Sequence, residues 1–206
     1  MLQKERAYYS PSVKLIVGID EAGRGPLAGP VYAAAVVFPS SFENEEINDS
    51  KKLSPKKRER LFSLIKEQAL GYGIASVSAE EIDRINIYEA TKVAMMDALS
   101  QIKVPYDLVI TDAMPLKGVK VPLVAMIKGD ANCLNVAAAS ILAKVSRDHY
   151  LEELDRQYPQ YGFKKHKGYG TKQHLAALAA YGPIPGVHRK TFAPVAAFYK
   201  EQTKLF

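Results

Sequence analysis

Four acidic side chains stand where a folded chain could gather them: Asp20, Glu21, Asp112 and Asp130. Each follows a short apolar run, and β-branched runs bounded by Gly and Pro read as strands. Residues 15–19 run into Asp20 and Glu21, residues 107–112 end on Asp112, and residues 121–127 lead to Lys128, Gly129 and Asp130. One strand ending in an acid is ordinary turn chemistry. Three such endings point to a site, because α/β proteins build sites at strand ends. Gathered carboxylates raise one another's pKa and need cations. Hard divalent ions with a preference for oxygen, Mn²⁺ or Mg²⁺, are the natural neutralisers. Two such ions about 4 Å apart activate a water and stabilise a leaving oxygen in phosphodiester displacement. Neighbouring strand side chains face opposite ways, so Asp20 is expected to look into the site. Glu21 is expected to reach it only where the strand ends or bends.

The segment after the acids carries Gly23, Arg24, Gly25, Pro26, Gly29 and Pro30, and an apolar run over 31–38 closes a hairpin-like pair. Other chemistries fit less well. The glycine segment has no Gly-Lys-Ser/Thr and is no nucleotide-binding loop. HExxH is absent, and His166, His174 and His188 make no zinc-helix pattern. No Gly-x-Ser-x-Gly elbow occurs. A paired-carboxylate glycosidase would explain neither the charge nor the glycines.

At 206 residues, 48% of them hydrophobic, the chain is expected to form a single domain with a packed core. That domain divides into an α/β part over 13–157 and a C-terminal part of loop and helices over 158–206. A net charge of +6 favours a polyanionic partner. The single cysteine, Cys133, excludes an intrachain disulfide. No signal-type apolar core opens the chain and no uncharged run reaches membrane-spanning length, so no membrane contact and a cytoplasmic location are expected.

The elements that must position the acids read as follows. Residues 1–12 are a loose lead-in. Ser54 and Pro55 start a helix over 55–70, with Leu61, Leu64, Ile65 and Leu70 on its apolar face. Its other face carries Lys56, Lys57, Arg58 and Arg60, equally readable as solvated or as touching nucleic acid. Lys51 and Lys52 precede it in a loop suited to phosphate. Residues 71–77 alternate as a strand, Ser78 to Glu81 forms a capping box, and a helix follows over 86–102. A long helix is expected over 131–157. Ser140, Lys144 and Arg147 share one side of it and read as nucleic-acid contacts. Residues 158–171 mix aromatics, glycines and cations, a combination suited to stacking on a base or sugar. Thr171 caps a helix over 172–181, and residues 194–206 begin helical and fray.

The string from Gly18 to Val31, Gly-Ile-Asp-Glu-Ala-Gly-Arg-Gly-Pro-Leu-Ala-Gly-Pro-Val, closely resembles the signature of type-two ribonuclease H, in its bacterial form. Asp49 to Ser54, Thr111-Asp112, Lys128-Gly129-Asp130 with 137–148, and His166 to Thr171 with His174 resemble its further motifs. Asn135 departs from the serine usual in the long-helix motif. The glycine-arginine-glycine string and the short lead-in fit type two rather than type three.

The resemblance implies a ribonuclease H-like α/β fold: a mixed five-stranded sheet flanked by helices, with a C-terminal helical extension. It implies Asp20, Glu21, Asp112 and Asp130 as the metal-binding catalytic set. Gly23, Arg24 and Gly25 would grip the ribonucleotide and sense its 2′-hydroxyl, the group that separates RNA from DNA. Tyr169 would stack on the following deoxyribose. Implied substrates are RNA–DNA hybrids and duplex DNA containing single ribonucleotides, cut to 5′-phosphate and 3′-hydroxyl ends. The tail, Gln202, Thr203, Lys204, Leu205 and Phe206, resembles sliding-clamp ligands of bacteria. The competing hypothesis is a non-catalytic nucleic-acid-binding module on the same fold.

Overall fold

The computed structural model describes residues 4–202. Five strands form one mixed sheet: β1 (Ile16–Ala22), β2 (Val31–Val37), β3 (Gly71–Val77), β4 (Leu108–Asp112) and β5 (Leu123–Met126), in spatial order β3-β2-β1-β4-β5. The first three pair antiparallel, while β4 and β5 run parallel to β1. A short glycine-proline loop suffices for the β1–β2 return, whereas parallel strands need crossovers.

Seven helices accompany the sheet: α1 (Pro55–Gln68), α2 (Ala79–Ser100), α3 (Gly129–Asn132), α4 (Leu134–Gln157), α5 (Phe163–His166), α6 (Lys172–Tyr181) and α7 (Ala193–Gln202). The expected caps are in place. Ser54, Ser78 and Thr171 each accept a backbone N–H three residues on, at 3.2–3.3 Å. Strand alternation assigns the two faces. Val17, Ile19, Val31, Ala33, Ala35 and Val37 pack on Ala90, Ala94, Met95 and Ala98 of α2. Ala34, Val36 and Phe38 pack the other way, on Leu61 and Ile65 of α1 and Ala138, Ile141 and Leu142 of α4.

Helix α4 lies so close to β1 that Gly18 has no room for a side chain. A Cβ there would stand 2.2 Å from the backbone carbon of Asn135 and 2.3 Å from Val136 N. This contact brings the first turn of α4, and the short α3 before it, to the strand that carries Asp20.

Three expectations need correction. The long helix over 131–157 is two helices. Cys133 adopts an extended backbone (φ −132, ψ 125), which ends α3 and lets α4 start at Leu134. Residues 5–9 are not loose. Glu5 is buried, its Oε2 accepting from Asn135 N at 3.1 Å and from Cys133 Sγ at 2.9 Å. The last strand is shorter than 121–127. The capping box and the helix read over 86–102 belong to one helix, α2, kinked at Asn86, which sits at φ 67 and whose Oδ1 accepts from Tyr88 N and Glu89 N.

Because Gly18 faces backbone that cannot step aside, Gly18→Ala is expected to destabilise the fold by about 3 kcal/mol, the upper end for overpacking. Urea denaturation would read this as a lower midpoint at unchanged slope.

Candidate active site

Strand register gathers the first two acids. β1 and β4 pair parallel with Ile19 opposite Thr111, so Asp20 and Asp112 extend from adjacent strand ends. Both follow the alternation of Ile16, Leu108 and Ile110, whose side chains pack on Val136 of α4. Asp130 comes from the first turn of α3, after Lys128 in a left-handed turn (φ 57). Asp112 fastens that turn: its Oδ1 accepts from Gly129 N at 2.8 Å. One carboxylate oxygen from each of Asp20, Asp112 and Asp130 lies within 4.8 Å of the others.

Among the described residues Lys51 is the one cation in an ion pair with these three aspartates. Burial, then the charges of Glu21 and Asp112, push the Asp20 carboxyl well above the usual carboxylate range. Burial and Asp112 raise Asp130, against which Lys51 stands at 3.8 Å. Glu21 belongs to the same cleft but not to the tight group of three, as strand alternation requires. Burial raises its carboxyl, with Arg24 opposing from 3.6 Å. Its Oε2 is buried with no partner among the described residues. Clustered acids and an orphaned buried oxygen fit a hard divalent cation.

A cleft of about 220 Å³ opens beside the acids, walled by Asp20, Glu21, Gly23, Arg24, Gly25, Ser50, Lys51, Lys144 and Tyr169, with Arg147 at its base. The larger cavity, about 470 Å³, lies by Glu5, Phe38 and Asn135 and holds none of the acids. Tyr169 is 48% exposed, and a Cβ on Gly25 would stand 3.6 Å from its ring, so ring and glycine loop face one another. Gly23 has φ +99, and a side chain there would strike Arg147 Nε at 2.1 Å. Glycine is required on both counts.

The cations divide. Lys51 is on the cleft wall. Lys52 is exposed and does not line it. Lys144 lines it but is paired with Asp148 at 2.6 Å. Arg147 and Ser140, read from spacing as nucleic-acid contacts, are both buried. Arg147 is buried, donating to the carbonyls of Pro30 (3.1 Å), Lys167 (3.0 Å) and Ala28 (3.1 Å). Three of its five N–H donors are thereby held by backbone. Ser140 is buried too, its hydroxyl donating to Ala137 O and accepting from Ser50 N. On α1, Arg58 donates to the carbonyls of Ser50 and Leu53, while Lys57 and Arg60 pair with Glu46. Asn135 is a buried link, accepting from Phe38 N at 2.9 Å.

Two features escaped the sequence reading. Arg189 is fully buried, donating to Gly23 O (2.6 Å), Arg24 O (2.9 Å) and Gly29 O (2.9 Å). The histidines form a relay whose tautomers are set by its ends. Ile184 N donates to His188 Nδ1 at 2.8 Å, so His188 Nε2 donates to His174 Nε2 at 3.0 Å. His174 Nδ1 then donates to Tyr169 O at 3.0 Å. The absence of a zinc spacing was the only hint that they turn to each other.

The mixed five-stranded sheet thus presents carboxylates from two adjacent strands, β1 and β4. The ribonuclease HII family model matches residues 17–195. Ribonuclease HII of Acholeplasma laidlawii is 54% identical over 197 residues, covering 96% of each chain. Among solved structures, ribonuclease H2 from Pyrococcus horikoshii superposes with TM-score 0.78 at 28% identity, over 92% of this chain and 99% of that one. Ribonuclease HII of Archaeoglobus fulgidus, solved in complex with PCNA, superposes with TM-score 0.70 at 27% identity, over 85% and 92%. The chain belongs to the ribonuclease HII family. It is an endonuclease that cleaves RNA–DNA hybrids and depends on divalent metal ions, which sets aside the non-catalytic module.

Two outcomes are expected from this geometry. Asp20→Asn removes a charge that its neighbours oppose, so Tm at neutral pH should rise by about 2–4 °C for each 1 kcal/mol relieved, while cleavage is lost. Calorimetry and a gel assay read the two. Burial lowers His174 and His188 from 6.5 to about 4. Between those values the unfolded chain binds more protons, so their contribution is full above pH 6.5 and declines as pH falls toward 4. The raised Asp20 and Asp130 pull the opposite way. The histidine part is therefore read as the difference in urea midpoint between wild type and His188→Asn across that window, and it should shrink as the pH drops.

Proposed function

We propose that this cleft cuts at single ribonucleotides embedded in duplex DNA as well as within hybrids, leaving 5′-phosphate and 3′-hydroxyl ends. The observation that carries the reading is the convergence of Asp20, Asp112 and Asp130 within 4.8 Å, with Asp20 and Glu21 on the wall of a cleft. Its other wall is a glycine loop and an exposed tyrosine. Asp20, Glu21, Asp112 and Asp130 hold Mg²⁺ or Mn²⁺. Two such ions, when bound, supply Lewis acidity to the attacking water and to the departing 3′-oxygen.

The chain's own residues do the rest. The glycine loop brings its backbone against the ribose, where a side chain would hold the sugar away. The Tyr169 ring stacks on the next sugar and so reads the passage from RNA to DNA. Lys51 steers the backbone phosphate from the rim, and the acids beyond it repel any phosphate that arrives without cations.

Such an activity belongs to ribonucleotide removal from DNA during replication and repair, in the cytoplasm. Among the described residues no helix is long and apolar enough to cross a membrane. A sliding clamp is a second partner of this reading, through the tail 202–206. That tail lies beyond the described residues except for the backbone of Gln202. The Archaeoglobus fulgidus relative was solved with PCNA.

A duplex bearing one ribonucleotide, incubated with Mg²⁺ or Mn²⁺ and separately with chelator, should be nicked only with metal, with the stated ends. Tyr169→Ala should lower cutting at the single ribonucleotide about tenfold or more, the scale of one lost stacking contact. The loss within long hybrids should be smaller. Equal losses on both substrates would remove the junction-reading role.

A further inference from the structure

Arg189 reaches the site from the far end of the chain. It lies 165 and 166 residues from the two loop carbonyls it holds. Its guanidinium is fully buried and donates only to backbone, at Gly23 O, Arg24 O and Gly29 O. Its own N–H donates to Leu27 O at 2.8 Å, and Phe192 lies against its charge at 5.0 Å. Asp83 on α2 fastens the segment from behind, accepting from Lys190 N (2.8 Å), Thr191 N (2.9 Å) and Thr191 Oγ1 (2.7 Å). Burial, then the like charge of Arg147, lowers Arg189 to about 9, which leaves it protonated at neutral pH.

The consequence follows from peptide geometry. In a trans peptide the C=O and the following N–H point in opposite directions. Among the described residues no peptide bond is cis. Gly23 C=O shares its plane with Arg24 N–H, and Arg24 C=O with Gly25 N–H. Both carbonyls are turned inward to one guanidinium, so both N–H groups are turned outward. Arg189 is absent from the cleft wall, whereas Gly23, Arg24 and Gly25 are on it. Among the described residues neither N–H finds an acceptor. Two successive N–H groups aimed the same way make a concavity for an electron-rich oxygen, with a buried positive charge behind it.

We infer that Arg189 is a specificity-determining positioning residue: by holding the carbonyls of Gly23 and Arg24 it aims the N–H groups of Arg24 and Gly25 at the ribonucleotide's 2′-hydroxyl and adjoining phosphate. The inference rests on the substrate reading above and adds to it the part that makes the loop selective. Lysine cannot replace the fork, because one ammonium does not hold three divergent carbonyls at fixed angles.

The test compares binding, in chelator, to two duplexes of one sequence, one all-DNA and one with a single ribonucleotide. Wild type should prefer the second. Arg189→Lys should lose about tenfold of that preference, the scale of one or two hydrogen bonds. In metal, KM for the ribonucleotide substrate should rise while kcat at saturation on hybrids is kept. Asp83→Ala loosens the same segment without touching the fork. It should shift the preference the same way, about threefold, and it carries the test alone if Arg189→Lys does not fold. A discriminating wild type with folded variants that discriminate equally, even at lowered Tm, overturns the inference alone. A wild type that binds both duplexes alike overturns the substrate reading and the inference with it.

Discussion

Three aspartate oxygens held within 4.8 Å of one another repel, and the surroundings of Asp20 are dry enough to amplify it. A flexible chain would let such groups swing apart. Here they cannot. Asp20 and Asp112 end adjacent strands whose register is fixed by buried side chains on both faces. Asp130 sits in a turn that Asp112 itself fastens through Gly129 N. The packing of α4 on β1, close enough to exclude a Cβ at Gly18, holds that turn in place. Core packing thus opposes the repulsion until cations relieve it. That is why the acids come from strand ends and a helix start rather than from loops.

The glycine loop is governed by the converse arrangement, positive charge under uncharged backbone. Arg147 and Arg189 together hold six carbonyls, from Gly23, Arg24, Ala28, Gly29, Pro30 and Lys167. A buried guanidinium is tolerable only when its donors are met. Six oriented peptide dipoles meet them without a carboxylate that would cancel the charge. The cleft therefore has a negative wall at the aspartates and a positive floor under the loop. A substrate that brings both phosphate and metal satisfies the two at once.

The sheet was legible because its strands are mostly short apolar runs bounded by Gly and Pro, and each capping serine or threonine carries its own local signal. The convergence of Asp20, Asp112 and Asp130 was legible for the same reason, since each closes a strand or the turn after one. The burial of Arg147 was not legible, because a helical stripe of Ser140, Lys144 and Arg147 looks alike whether it faces solvent or lies over a neighbouring loop. Only the tertiary approach of 28–30 and 167 decides. Arg189, Glu5 and the break at Cys133 depend on partners over a hundred residues away. No local pattern encodes such separations, so they emerge only once the chain is folded.

The distance along the chain between Arg189 and the loop it holds has a temporal side. During vectorial synthesis the strands bearing Asp20 and Asp112 can pair once the first half of the chain has left the ribosome, domains forming from the N-terminus onward. The loop carbonyls of Gly23 and Arg24 must wait for a residue 166 positions later. A nascent chain halted before Arg189 therefore carries its acids without the grip that selects among strands. The conformation of the glycine loop is thus completed late in the growth of the polypeptide, after the strands that carry the acids.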